Sequence, residues 1–295
     1  MKNIKTYLYL FLGMALFGSA TPLSKLISQE FPVFIAGMLR VFLAFLVLLP
    51  FIKLNNYKKF KGRDLWLLIG IGLIGVLGFT FLMLSGMKLI SGVTGSIVMS
   101  ATPALTAVLS VLIFKDDFGW KKGLAIFLAI AGILVLQLGS ENSDQGNNQL
   151  IGILLVTGAI ICEAAYTLMG KSLTGKYIPE EISAFSAFIA FIGFIPFAFW
   201  EYKSGIFNSV TIVSWIYLLI YGAATMGLGS VLWYKGVKQV EGSTAAAFMG
   251  VMPVSALLLS YVLLNESFQW IHLLGFLMVF AGVLLIISVH RNMKK

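Results

Sequence analysis

One acidic side chain of the sequence, Glu163, falls well inside a long apolar run. An ionised carboxylate at such depth costs roughly 3 kcal/mol or more unless it is paired or wetted. Its chemistry has two readings. It carries a proton or binds an organic amine, or it is a structural acid bonded to its neighbours. Tyr166 follows three residues later and shares its helical face, where its hydroxyl either meets a ligand or simply packs. Arg40 lies near the middle of another run. It cannot lose its proton and so needs an anion or water beside it; it either pairs structurally with a carboxylate or helix ends, or takes part directly in binding or gating. Pro103 and Pro253 are also mid-run. Each removes a backbone donor and opens a helix, as a hinge that bares carbonyls or as a static kink. Asp116 and Glu266 close two further runs. A carboxylate at a helix C-terminus opposes the macrodipole, so these two fit loop locks or gate contacts better than ligands for a small molecule.

The elements that position these residues follow from composition. The chain has 295 residues, of which 59% are hydrophobic and 11% charged, against about 45–50% and about 25% in soluble domains. That excess leaves no place for a soluble enzyme, a nucleic-acid binder or a disulfide scaffold, and the lone Cys162 sits in an apolar run. Apolar runs occur at 6–24, 31–52, 65–87, 89–114, 123–139, 150–170, 182–200, 210–234, 242–264 and 269–289. Each approaches the roughly 17–25 residues that cross a bilayer as a helix. Backbone groups must be satisfied within the run, and the runs do not alternate in polarity, so the expected fold is all-α with ten transmembrane helices rather than a barrel. The first run lacks a small-residue cleavage site and reads as a retained helix.

Basic residues set the orientation. With ten spans, seventeen Lys and Arg lie on the side of the termini and three, Lys25, Lys88 and Lys203, on the other. The bias places both termini in the cytoplasm and assigns the +9 net charge to topology and anionic lipid rather than to nucleic acid. Gly70-Ile-Gly72-Leu-Ile-Gly75 matches a dinucleotide fingerprint by spelling only, because no strand precedes it; its glycines suit close helix packing. His272 and His290 make no metal site, and no Walker, HExxH or GxSxG motif is present. No cofactor and no catalytic centre are expected.

An internal repeat organises the spans. Shifted by 150 residues, 91–137 falls on 241–287 without a gap and with twelve identities, among them Gly92/Gly242, Pro103/Pro253, Trp120/Trp270 and Gly132/Gly282. The shift continues upstream through Gly86/Gly236 and Gly72/Gly222. Trp120 and Trp270 suit anchors at the membrane interface. The polar stretch 140–149 separates halves at 1–139 and 150–295. Five helices per half is an odd number, so the halves enter the bilayer from opposite sides, an inverted repeat of the kind that secondary transporters use, with the binding site near the midplane.

These residues carry a resemblance. Gly236 to Thr244, Pro253, Leu264-Asn-Glu266-Ser-Phe-Gln-Trp270, Gly275 and Ala281-Gly282, with their first-half partners Gly86 to Thr94, Pro103, Phe114 to Trp120 and Gly132, and the Leu39-Arg40 pair, resemble the EamA-like branch of the drug/metabolite transporter superfamily. The likeness covers the whole chain. It departs at Asp116, where the family usually has Glu; Glu266 keeps it. The resemblance implies a plasma-membrane exporter of small metabolites or amino acids, monomeric or weakly dimeric, working by alternating access. A lipid-carrier flippase is the rival reading, which a long apolar groove open to lipid would favour.

Overall fold

The computed structural model describes residues 2–52, 60–102, 143–237, 239 and 248–292, with isolated positions between 105 and 135. Among the described residues every regular element is helical. Helix α1 (Lys2–Gly18) and helix α2 (Ala20–Glu30) form one span broken at Ser19. Pro22 has no N–H for the Gly18 carbonyl, which cuts the ladder, and the Ser19 hydroxyl turns back to donate to Leu16 O at 2.6 Å. Helix α3 (Val33–Leu48) starts behind Pro32, whose extended backbone stops any helix from entering it. The third span runs through α4 (Arg63–Gly70), a π-helical segment (Ile71–Gly78) and α5 (Phe79–Leu89). Helix α6 (Gly92–Met99) is capped by the Ser91 hydroxyl, which accepts from Thr94 N. The second half contributes α7 (Ser143–Thr174), α8 (Pro179–Glu201) and α9 (Ile212–Leu219). A second π-helical segment (Ile220–Leu228) leads into α10 (Gly229–Val237), followed by α11 (Val251–Leu264) and α12 (Trp270–Asn292).

Among the described residues six helices are long and apolar enough to cross a membrane: Ile4–Glu30, Val33–Phe51, Arg63–Leu89, Asn148–Gly170, Pro179–Glu201 and Ile212–Gly236. Two shorter apolar helices, Val251–Leu264 and Trp270–Gly282, accompany them. The first outruns the apolar stretch 6–24 because the helix carries on through Lys25 to Glu30. Residues 103, 104 and 106–114 of the run 89–114, and most of the run 123–139, lie outside the described residues. Trp66, Trp200 and Trp270 stand at helix ends and are 73–81% exposed, as interfacial anchors should be.

Glycines determine how the halves meet. A Cβ on Gly72 would stand 2.6 Å from Ile189 and 3.0 Å from the Ser186 carbonyl on α8; one on Gly222 would stand 2.7 Å from both Leu43 and the Arg40 carbonyl on α3. Gly72 and Gly222 are 150 residues apart, and Arg40/Ser186 and Leu43/Ile189 are each 146 apart. The two contacts are therefore the same contact with the halves exchanged. The α3–α8 ring pairs behave alike. Phe34 meets Phe197, Phe42 meets Phe191 and Phe45 meets Phe188 at centroid distances of 5.1–5.3 Å. Numbers rise on one helix as they fall on the other, so α3 and α8 run antiparallel. A shift of 146 exchanges the Phe42 and Phe45 pairs.

The π segments are likewise about 150 residues apart. A π turn is wider than an α turn and marks functional sites more often than chance; here both segments flank the region between the halves.

Candidate functional site

A cavity lies between the two halves. From the first half it is lined by Met14 and Phe17 of α1, Arg40 of α3, Gly75 and Val76 of the first π segment, Phe79 and Met99. The second half supplies Glu163, Tyr166 and Thr167 of α7, Thr225 and Met226 of the second π segment, Ser230 and Trp233 of α10, Met249 and Met252. About 90 Å³ of it is open to the centre of a water-sized sphere, several times the roughly 10–15 Å³ that one water needs. Polar groups here can therefore be wetted.

The three binding residues expected from the sequence come together on this cavity. Glu163 is held by α7, and Thr167 one turn later donates its hydroxyl back to the Glu163 carbonyl at 3.1 Å. Among the described residues the carboxylate has one weak protein donor, Thr102 Oγ1, at 3.5 Å, while Thr102 bonds more closely to Met99 O at 2.7 Å. Tyr166 packs its Cβ onto the first π segment, where a Cβ on Gly75 would come within 2.7 Å of it. Its ring lies 6.3 Å from that of Tyr234 on α10. Tyr234 Oη and Ser183 Oγ are buried and, among the described residues, meet no partner in hydrogen-bond geometry.

Arg40 is 5% exposed. Its guanidinium donates to Thr80 Oγ1 and lies 4.0 Å above the Tyr221 ring and 5.5 Å from that of Phe79. Ser24 fixes Tyr221 by donating to its hydroxyl at 2.7 Å. The charge is thus met by aromatic faces, a contact of about 2 kcal/mol when desolvated, and Arg40 Nε has no partner. The ion pairs within 4 Å among the described residues are Lys176–Asp64 and Lys235–Glu180; Arg40 and Glu163 share the cavity without forming one.

Pro253, in the middle of its apolar run, sits in the first turn of α11, behind a turn at Gly250, where an N–H has no intrahelical acceptor to lose. The matching site in the first half also breaks, at Ser100 and Ala101 just before position 103; Pro103 itself and Asp116 lie outside the described residues. Glu266, just past the C-terminus of α11, accepts from Gly92 N at 2.5 Å and Val93 N at 2.8 Å. It therefore joins the two halves at the end of α6 away from the cavity-lining Met99.

Sequence reasoning missed several lining residues. Met14, Met99, Met226, Met249 and Met252 surround the cavity, a soft lining that adapts to shape. Nothing in the spacing of an apolar run separates a methionine that lines a cavity from one that packs in a core. Tyr221 and Thr80, the partners of Arg40, carried one indirect signal: an intramembrane arginine must be satisfied by something on a facing helix.

The EamA-like transporter family model matches the chain twice, over residues 4–138 and 150–288. The uncharacterized transporter YetK of Bacillus subtilis is 32% identical over 285 residues, covering 96% of this chain and 86% of the relative. A second relative from that organism, the uncharacterized transporter YyaM, is 28% identical over 295 residues, 99% and 96% of the two chains. A solved crystal structure aligns with a TM-score of 0.65 at 16% identity, covering 98% of this chain and 99% of the other, a likeness of fold. The helices, their cavity and these matches agree, and the chain belongs to the EamA-like transporter family of membrane proteins.

Proposed function

We propose that the protein is a secondary transporter that exports a small metabolite or amino acid across the plasma membrane by alternating access. Its working parts are two five-helix halves, 1–139 and 150–295, inserted in opposite senses, ten helices in all. The observation that carries this reading is the cavity shared by both halves, with one weakly bonded carboxylate, Glu163, on its wall. The exchanged contacts of Gly72 and Gly222 and the antiparallel α3–α8 pair support the inverted arrangement. In such a frame the halves can trade conformations and turn the cavity from one face to the other.

Glu163 is the coupling or amine-binding group. Tyr166 shapes its side of the cavity, and Arg40 sets the field from the opposite half. Glu266 is a gate contact, with Asp116 as its repeat counterpart, and the turns before Pro103 and Pro253 are hinges. No catalytic step and no cofactor enter this account. The basic bias places the termini in the cytoplasm; a reporter fused after Lys295 that is active only outside the cytoplasm would overturn this.

Lipid translocation is a second reading, favoured by one observation. An apolar groove between α1, α11 and α12 is lined by Phe11, Leu16, Val254, Leu258, Phe280 and Leu284. Counterflow in proteoliposomes against a metabolite panel, with and without a pH gradient, tests the first reading. A labelled compound that accumulates against its unlabelled form supports it. Flipping of labelled lipid with no soluble compound exchanged would favour the second.

A further inference from the structure

We propose that Glu30, Glu201 and Glu266 form a three-point latch that holds the two halves together on one face, and that its release opens the cavity on that face. The proposal rests on the alternating-access reading and extends it to residues outside the cavity.

The three contacts share one design. Each carboxylate sits at or just beyond the C-terminus of a helix in one half and accepts from the N-terminus of a helix in the other. Glu201, ending α8, accepts from Val33 N at 3.1 Å, Phe34 N at 2.7 Å and Ile35 N at 3.0 Å. Glu266 takes the first two amides of α6. Glu30, ending α2, accepts from Thr211 N at 2.8 Å and from the Thr211 hydroxyl at 3.0 Å, and Thr211 is the N-cap of α9.

All three lie on one face. Glu30 and Val33 flank a single turn, and Lys25 on α2 is within electrostatic reach of Glu266. By the basic bias this is the non-cytoplasmic face.

The chemistry favours a strong but reversible hold. The first amides of a helix have no intrahelical acceptor and carry its positive dipole end, so a carboxylate there makes charge-assisted bonds. The N-cap of α3 is Pro32, which provides no side-chain cap; Glu201 serves those amides instead. When the faces part, water can take over each amide, so opening leaves no buried orphan. On the opposite face the contacts differ in kind: Asp64 accepts from Lys176, whose side chain is 63% exposed, a type of pair that contributes little, and from the Tyr177 hydroxyl at 3.0 Å.

The test uses the full chain with Cys162→Ser, reconstituted in lipid, and spin labels in two pairs. One pair, at Gln29 and Ser209, reports the latched face; the other, at Lys61 and Ile178, reports the opposite face. Glu201→Ala and Glu266→Ala should each raise the long-distance population of the first pair by about threefold, the factor of a lost charge at a helix N-terminus. Glu201→Gln and Glu266→Gln, which keep an acceptor, should fall between these and wild type. Asp64→Ala, on the opposite face, should leave the first pair at wild-type distances. Variants that remain folded by thermal unfolding but leave the first pair at wild-type distances overturn the latch. If wild type populates two distances at that face regardless of these residues, alternating access stands without the latch. One fixed distance at both faces in every variant sinks both.

Discussion

Glu163 and Arg40 are both charged, yet their surroundings give them different work. Glu163 faces a wettable space with one donor among the described residues, at 3.5 Å, which is the basis for proposing that it takes a proton or a bound cation. Glu163→Gln keeps the shape and removes both options. If Glu163 couples protons, pH-driven net transport should fail while equilibrium exchange survives. If it binds a substrate amine, binding itself should weaken by about tenfold or more, the scale of a charge-assisted bond. Flux and binding assays on the one variant separate the two, and wild-type values in both would leave Glu163 a structural acid. Arg40 is enclosed between Tyr221, Phe79 and Thr80. Arg40→Lys keeps the charge and loses the flat face that stacks. It should lower stability by about 1–2 kcal/mol, read from thermal unfolding in detergent, with little change in substrate Kd. A large loss of affinity with unchanged stability would make Arg40 a direct ligand. Both residues were legible in the sequence because charge inside an apolar run stands out. Their difference was not, since it depends on which facing helices bring aromatic rings or open space.

At the scale of elements, the helices and the shift of 150 were readable from hydrophobic runs and matched glycines. The two π segments were not. Their sequences, Ile71–Gly78 and Ile220–Leu228, are apolar and glycine-containing like any packed span, and nothing in such a pattern distinguishes i→i+5 from i→i+4 bonding. The turn before Pro253 was not legible for a related reason. The apolar run continues across Gly250 although the described helix α11 begins at Val251, and hydropathy does not register a turn of apolar residues. What the glycines do is clear once the helices are packed. Gly222→Ala would drive a methyl to 2.7 Å from the Arg40 carbonyl and from Leu43. A backbone neighbour cannot rotate away, so the halves must separate locally, at a cost of about 1–3 kcal/mol. A lowered unfolding temperature is expected, and Gly72→Ala, pressing Ile189 and the Ser186 carbonyl, should behave alike. Unchanged stability in both would mean that the α3 and α8 contacts yield freely.

For the whole molecule, composition alone pointed to a bilayer, and the inverted arrangement proposed above follows from an odd number of spans read in each half. Substrate choice did not follow, because the methionine and aromatic lining of the cavity arises only when the helices pack. The central claim is that the halves move against each other around the cavity. Its most direct measurement is to lock them. In a Cys162→Ser background, Glu30→Cys with Thr211→Cys replaces an observed contact between α2 and the start of α9 by a disulfide. Counterflow of the panel compound that wild type exchanges should fall by about tenfold or more on oxidation, as expected when the conformational step limits the cycle, and return on reduction. Full counterflow with the cross-link formed would contradict the account.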